Sequence, residues 1–498
     1  MNTNHEFAIQ RISNEYELLQ SSKEDKKYTL LYKAIKRCIR KRELPDQWLL
    51  PPTRILSISM ALSRTTVLKS YELLLLEKLI LSKVGSGNRV NFVGLEPPNK
   101  FPKKKDFKSS DYPEISQKGQ SYLKNISLIN RLPGNDVAFR PGLPPLDVFP
   151  VNQWKKLLNA YWRHVKSSGL SYAPSTGLRE LKKSISKYLN VSRNLKCQAD
   201  QIVIVSGSLQ SLYLIANTLI NKSDAVILEN PVFPNVHSVF KSSEAHLIPA
   251  NLDKEGIQLS TLDKPEHKNP KLIHVTPSNH YPTGVKMSLS RRQELLTWAS
   301  THNALIIEND YEHEVANLAN PIPTIFSLDN ESRTIYMGTF NRLLHPSIRL
   351  GYMIVPNYLI GVVEALQEHS HRFISPSIQI VMNQFIERNY LYKHLEKSIA
   401  VAQERYKLFI REFEIHCTSM MIKPKSFSSF HVVALFKNEV SVAHEKDVIK
   451  RLKERNITAF SLSKCYITDS KKQGLILGYA AVRTAVMLRK IKSMSEVI

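Results

Sequence analysis

YTLLYKAIKRCIRKRELPDQWLLPPTRILSISMALSRTTVLKSYELLLLEKLILSKVGSGNRV, residues 28–90, reads as a small helical domain that ends in a hairpin. Tyr28 to Lys41 sets Leu31, Ile35, Cys38 and Ile39 on one helical face, with Lys33, Lys36, Arg37 and Arg40 around the rest. Pro45, Pro51 and Pro52 interrupt any continuation, since proline lacks the N–H that a helix interior needs. A short helix over Ile55 to Leu62 follows. Ser63 then stands as N-cap of a third helix, its oxygen able to accept an N–H of the first turn. Val67, Tyr71 and Leu74 recur at helical spacing and are expected inside, while Arg64, Thr65, Thr66 and Lys69 point elsewhere. A guanidinium, two hydroxyls and an ammonium at that end suit phosphates and major-groove base edges. Ile80 to Val90 predicts two strands joined at Gly85-Ser86-Gly87, with Lys83 and Arg89 beside the tip. The same charges would equally serve as a solvated face, so patterning alone leaves the two readings even.

Outward from this stretch, the chain has 498 residues, too many for one ordinary domain. Sixty-nine Lys and Arg against 44 Asp and Glu give a formal charge of +25, which favours polyanionic partners, nucleic acid first. The lysines are spread along the whole chain, however, so charge by itself does not establish DNA binding. No apolar run reaches the roughly 18 residues that span a bilayer, and the N-terminal segment does not read as a secretory signal. A cytoplasmic protein with no membrane partner is expected. Cys38, Cys197, Cys417 and Cys465 lie far apart without paired spacing, which argues against a zinc site or a disulfide framework and predicts no metal centre. Composition divides the chain into a compact helical domain over residues 24–93, a linker over 94–130 and a C-terminal domain over 131–498. The linker holds Pro97-Pro98 and Lys103-Lys104-Lys105 among polar residues without apolar periodicity. Beyond it, runs such as Gln201 to Val205, Ala225 to Leu228 and Ala304 to Ile307 alternate with amphipathic helices. That alternation is α/β construction, and the continuous apolar strands suit a parallel sheet covered on both faces.

Within the C-terminal domain, Ser206-Gly207-Ser208 turns from a strand into a helix, where free N–H groups and hydroxyls can receive an anion. Phe233 follows Glu229-Asn230-Pro231 at a strand end, placed to stack on a planar ring or simply to pack. Further segments are Thr276 to Gly284, Ile306 to Tyr311 and Gly338-Thr339-Phe340-Asn341-Arg342 leading to Arg349-Leu350-Gly351-Tyr352.

The segments Leu50-Pro51-Pro52-Thr53-Arg54, Ser63-Arg64-Thr65-Thr66-Val67 and Gly85 to Val90 match in order and spacing the GntR-type winged helix, which residues 28–90 resemble. The resemblance implies DNA contacts from Arg54, Ser63, Arg64, Thr65, Thr66, Lys69 and the wing residues Gly85, Ser86 and Gly87. One departure is Ala61-Leu62 in the turn, where that family usually carries Leu-Gly. The C-terminal segments resemble fold-type-I pyridoxal-phosphate (PLP) enzymes, and the two halves together resemble the bacterial MocR-type regulators. This implies a winged helix-turn-helix (α+β) joined to an α/β aminotransferase-like domain, acting as a homodimer on double-stranded DNA with a small-molecule effector. It also implies a cofactor site at Ser206, Gly207, Ser208, Phe233, Asn309, Tyr311, Asn341 and Arg349. In the family a lysine forms the Schiff base seven residues before the arginine of the RLGY segment; here that position is Arg342, and no lysine occurs between Lys286 and Lys393. A guanidinium is a poor nucleophile. The family's acid facing the pyridine nitrogen is replaced by Asn309, with Asp310 one residue later. No catalytic residue is therefore expected, and PLP is expected at best non-covalently or not at all. The alternatives are an active PLP-dependent aminotransferase, which Arg342 disfavours, and a DNA binder that responds to no ligand.

Overall fold

Helix α1 (Thr3–Leu19) opens the first of two units, Met1–Glu114 and Ile115–Ile498, in a computed structural model that describes residues 3–20, 25–83, 87–92, 113–129, 138–262, 269–316, 322–424, 426–470 and 472–498. α2 (Lys27–Arg40), α3 (Thr53–Ser59) and α4 (Arg64–Leu76) follow, then the antiparallel hairpin β1 (Ile80–Lys83) and β2 (Gly87–Val90). The face read from the sequence is the buried one: Leu31, Ile35, Cys38 and Ile39 of α2 meet Val67, Tyr71 and Leu74 of α4 in one core. Tyr71 brings a phenol into that core and satisfies it on the Pro51 carbonyl at 2.7 Å. α1 lies outside the expected range of 24–93, yet Ala8, Ile12 and Tyr16 are buried in the same core and Glu15 pairs with Lys41 and Arg37. α3 starts and stops earlier than the expected Ile55 to Leu62, because Pro52 caps its start and Met60 and Ala61 turn its end.

The second unit reaches back into the expected linker. A helix over Gln117–Asn125, capped by Ser116, is held there by Ser238, whose hydroxyl donates to the Asn125 carbonyl at 3.1 Å, and by Lys118 on Asn217 at 2.7 Å. Its apolar face is short, which is why composition reads it as linker. Eight strands form the main sheet: β3 (Ile202–Val205), β4 (Ala225–Asn230), β5 (His246–Asp253), β6 (Gly256–Ile257), β7 (Leu272–Val275), β8 (Leu305–Asn309), β9 (Thr334–Thr339) and β10 (Gly351–Ile354). Their order is β3-β10-β9-β8-β7-β4-β5-β6. β5, β4, β7, β8 and β9 run parallel, but β10 is antiparallel to both β9 and β3, so the sheet is mixed rather than wholly parallel. The reason is the connection: residues 340–350 return straight from β9 to its neighbour without a crossover helix. Every residue of β3, β7, β9 and β10 is buried, as expected for strands covered on both faces. A 27-residue helix, Tyr390–His416, leads into a second, antiparallel sheet of β11 (Met420–Lys423), β12 (His431–Phe436), β13 (Phe460–Ser461) and β14 (Gly474–Gly478), in the order β11-β12-β14-β13. Among the described residues no helix is long and apolar enough to cross a membrane.

Candidate functional site

On α4 the Ser63 side chain accepts the Thr66 N–H at 3.1 Å, the N-cap that its position predicts. With Val67, Ser70, Tyr71 and Leu74 buried, Arg64, Thr65 and Lys69 are left exposed and Thr66 half-buried at the start of the helix. Arg54 is exposed on α3, and Lys69 lies over the Tyr28 ring at 5.7 Å. Gly87 opens β2 at φ +78°, while Gly85 and Ser86 lie outside the described residues. Arg89 is less available than its place beside the tip suggests, because its Nη1 donates to the Gln47 carbonyl at 2.9 Å.

In the second unit the loops at the C-terminal ends of β3, β4, β7, β8 and β9 surround a cavity of about 220 Å³, where ligands of open α/β sheets commonly sit. Gly207, Ser208, Phe233, Asn309, Tyr311, Asn341, Arg342 and Arg349 all line it, although they span much of the chain. Gly207 is the N-cap of the helix Ser208–Leu219 at φ +129°, and a Cβ there would come within 2.4 Å of the Asn341 amide nitrogen. Glycine thus lets the backbone close in, leaving first-turn N–H groups and the positive end of the helix dipole at the cavity. Ser206 stands behind this cup rather than in its lining. Its N–H donates to Gln210 at 2.6 Å, its carbonyl accepts Asn341 Nδ2 at 3.3 Å, and its hydroxyl accepts Arg349 Nη2 at 3.4 Å. Asn341 is committed at both ends of its amide, since Oδ1 accepts the Leu350 N–H at 2.9 Å.

At the other end of the cavity Arg342 Nη1 donates to Glu312 Oε1 at 3.1 Å. The guanidinium lies 5.2 Å from the Tyr311 ring centroid and 5.8 Å from that of Phe233. Glu312 is fully buried, and its second oxygen accepts Ser429 Oγ at 2.7 Å and the Phe430 N–H at 3.4 Å, which ties Arg342 to the start of β12. Gly142 covers the guanidinium: a Cβ on it would lie 2.6 Å from Arg342 Nη1. Tyr281 and Tyr311 both line the cavity, and neither hydroxyl has a hydrogen-bond partner among the described residues. Burial pushes both phenols well up, so both stay protonated.

Asn309 and Asp310 part at the end of β8, as successive residues of a strand do. Asn309 lines the cavity, its Nδ2 3.4 Å from His274 Nε2, and burial pushes that imidazole down to about 4. Asp310 is spent elsewhere: Arg193 Nε reaches its carboxylate at 2.9 Å and Tyr336 OH at 2.8 Å, in a pair with side chains 1% and 0% exposed. Arg193 and neighbouring donors outweigh its burial and hold its pKa down at about 2. Asp310 is thus paired behind the cavity and is not part of its lining. Glu312, Asn235 and Gly142 were not picked out from the sequence, and Thr276 and Tyr281 were quoted within a segment without a role in the site. Tyr281 and Glu312 lie in or beside quoted segments, but only folding brings Glu312 to Arg342.

Residues fit a PLP-like ligand at one end and not at the other. The glycine cradle, Ser208 and Arg349 suit its phosphate, whereas Arg342 supplies no amine for its aldehyde and the lining includes no lysine.

Residues 143–487 match the family model of class I and II aminotransferases. A probable rhizopine catabolism regulatory protein, MocR, from Rhizobium meliloti is 30% identical over 93% of this chain and 92% of its own length. The pyridoxine biosynthesis transcriptional regulator PdxR from Corynebacterium glutamicum is 27% identical over 68% of each chain. Among solved structures, a Pyrococcus horikoshii kynurenine aminotransferase superposes with a TM-score of 0.66 at 23% identity, over 79% of this chain and 96% of its own.

Proposed function

The chain belongs to the MocR-type regulators, a winged helix-turn-helix joined to a class I and II aminotransferase domain, and from that premise we propose that it is a DNA-binding transcription regulator whose cavity binds a ligand without transforming it. The pairing of Arg342 with Glu312 carries the second half of this reading. Transamination needs an amine nucleophile and an acid at the ring nitrogen. Here a guanidinium, a poor nucleophile held by the buried Glu312, occupies the first place, and an amide occupies the second. What the cavity keeps is the means to hold an anion. PLP itself is admitted non-covalently at most. The regulator works in the cytoplasm, as a homodimer that carries two readers to two half-sites.

The reading of DNA rests on α4. Its exposed first turn offers Arg64, Thr65 and Thr66, with Ser63, Lys69, Arg54 and the wing as positioning contacts. In gel shifts at fixed salt against a fragment recovered by genome-wide binding, Arg64→Ala should weaken binding by roughly 1–3 kcal/mol, the worth of one bidentate base contact. An unchanged affinity would remove Arg64 from the reading surface. In parallel, the protein incubated with one equivalent of PLP and reduced with borohydride should show no stoichiometric adduct on any single lysine, as distinct from scattered modification of exposed amines. A stoichiometric adduct on one lysine, lost when Arg349 is changed to alanine, would return the cavity to enzyme chemistry.

A further inference from the structure

We propose that the cavity takes a phosphate monoester that also carries a carboxylate, the phosphate at the Ser208 end and the carboxylate on Arg342. This rests on the reading of the domain as one that binds a ligand, and it names the ligand's chemistry at the end where the lysine is missing.

The lining carries two guanidinium groups, Arg342 and Arg349, and no carboxylate. Arg349 shares its end of the cavity with Gly207 and the first turn of a 12-residue helix, which suits a phosphate. Arg342 makes one hydrogen bond, from Nη1 to Glu312, while its Nη2 and Nε have no partner among the described residues. Glu312 leaves that second edge of the guanidinium open, because its other oxygen is occupied by Ser429 and Phe430. A planar group with two donors on one edge is the natural mate of a carboxylate, in a fork that an aldehyde or an ammonium cannot complete. Gly142 on one side and the Tyr311 and Phe233 rings nearby hold the guanidinium in place, so little freedom is lost when it binds.

Tyr281 and Tyr311 add an independent indication. They are 2% and 7% exposed, stay protonated, and have hydroxyls without partners beside the cavity. A buried donor left unpaired costs stability, so two of them at one cavity point to oxygen atoms on what fills it. Leu209, Leu212, Phe233 and Val236 supply apolar wall, which suits a ring between the two anionic ends.

Three probes share one ring and one phosphate and differ at a single substituent: pyridoxal 5′-phosphate, pyridoxamine 5′-phosphate and 4-pyridoxic acid 5′-phosphate. Calorimetric titration of the full-length protein should rank the acid at least about tenfold tighter than the aldehyde, with the amine weakest. Arg342→Lys keeps a cation for Glu312 but removes the fork, and it should erase or invert the preference for the acid. An acid that binds no tighter than the aldehyde to the unmodified protein overturns the carboxylate assignment while leaving the ligand-binding reading intact. Failure of all three probes to bind overturns both. Should the variant not fold, the ranking on the unmodified protein still decides.

Discussion

Ala61 sits at φ +49°, one residue past the C-cap of α3, where the Leu62 N–H reaches the Ser57 carbonyl at 3.0 Å and the Ala61 N–H the Ile58 carbonyl at 3.2 Å. These two bonds make a Schellman turn, whose left-handed position favours glycine. The Cβ of alanine costs about 1–2 kcal/mol there, of which part returns because alanine is the stiffer residue when unfolded. Ala61→Gly should therefore stabilise the turn by about 0.5–1 kcal/mol. Amide hydrogen exchange in α3 and α4 should slow by roughly two- to fivefold, and faster exchange would show that the turn is not strained. The departure from the family's turn, visible in the sequence, thus becomes a local conformational cost rather than a different connection. Arg342 teaches the complementary point. Its identity could be read by counting back from Arg349, but its partner Glu312 could not, because that contact joins the loop after β8 to the loop after β9.

At the scale of elements, the helices with a continuous apolar stripe were legible and those with a thin one were not. α2 and α4 bury the residues their periodicity nominates. The only apolar residues that α1 buries are Ala8, Ile12 and Tyr16, and the helix at Gln117–Asn125 buries Asn125 alone, so both read as polar sequence until a neighbour holds them in place. Removing residues 1–20 should uncover the α2 face against which α1 packs and unpair Lys41 from Glu15. Burial of one small and two large side chains, Ala8, Ile12 and Tyr16, is worth about 3–5 kcal/mol. Limited proteolysis of the shortened chain should cut within residues 25–90 at protease levels that the intact chain resists. Equal resistance would make α1 an appendage rather than part of the core.

For the molecule as a whole, acid stability follows from where the histidines lie. Burial pushes His237, His274 and His431 down to about 4 and His280 to about 3, all in the second unit. Below about pH 6.5 the unfolded chain protonates these four groups while the folded chain does not, so their contribution is complete above that pH and is lost as pH falls toward 4. Glu229 and Glu308 act in the opposite sense, since burial raises them to about 8 and about 7. They take protons when folded and not when unfolded, which favours the folded state as pH falls from 8 to about 4.5. Between pH 6.5 and 5 the difference is up to about two protons, a loss on the order of 1–3 kcal/mol per pH unit. Thermal unfolding followed from pH 5 to 8.5 should show the second unit most stable near pH 6.5–7, with the steeper fall on the acid side. A flat profile would mean that these imidazoles are accessible to protons in the folded chain.

The sequence by itself determined the two-part plan, the capped helix α4, the α/β class of the second unit, and the presence of Arg342 and Asn309 in the segments that come to line the cavity. Those features depend on residue type and local spacing, which the linear order contains. Tertiary structure alone decided that β10 runs against its neighbours, that α1 joins the core of the first unit, that the helix at Gln117–Asn125 is held on the second, and that Asp310 pairs with Arg193. It also decided that Arg342 is held by Glu312 with one edge of its guanidinium still open. Apart from the direction of β10, which follows from its short return from β9, each of these depends on a contact made when burial brings a charge or an apolar face to a partner that no local pattern announces.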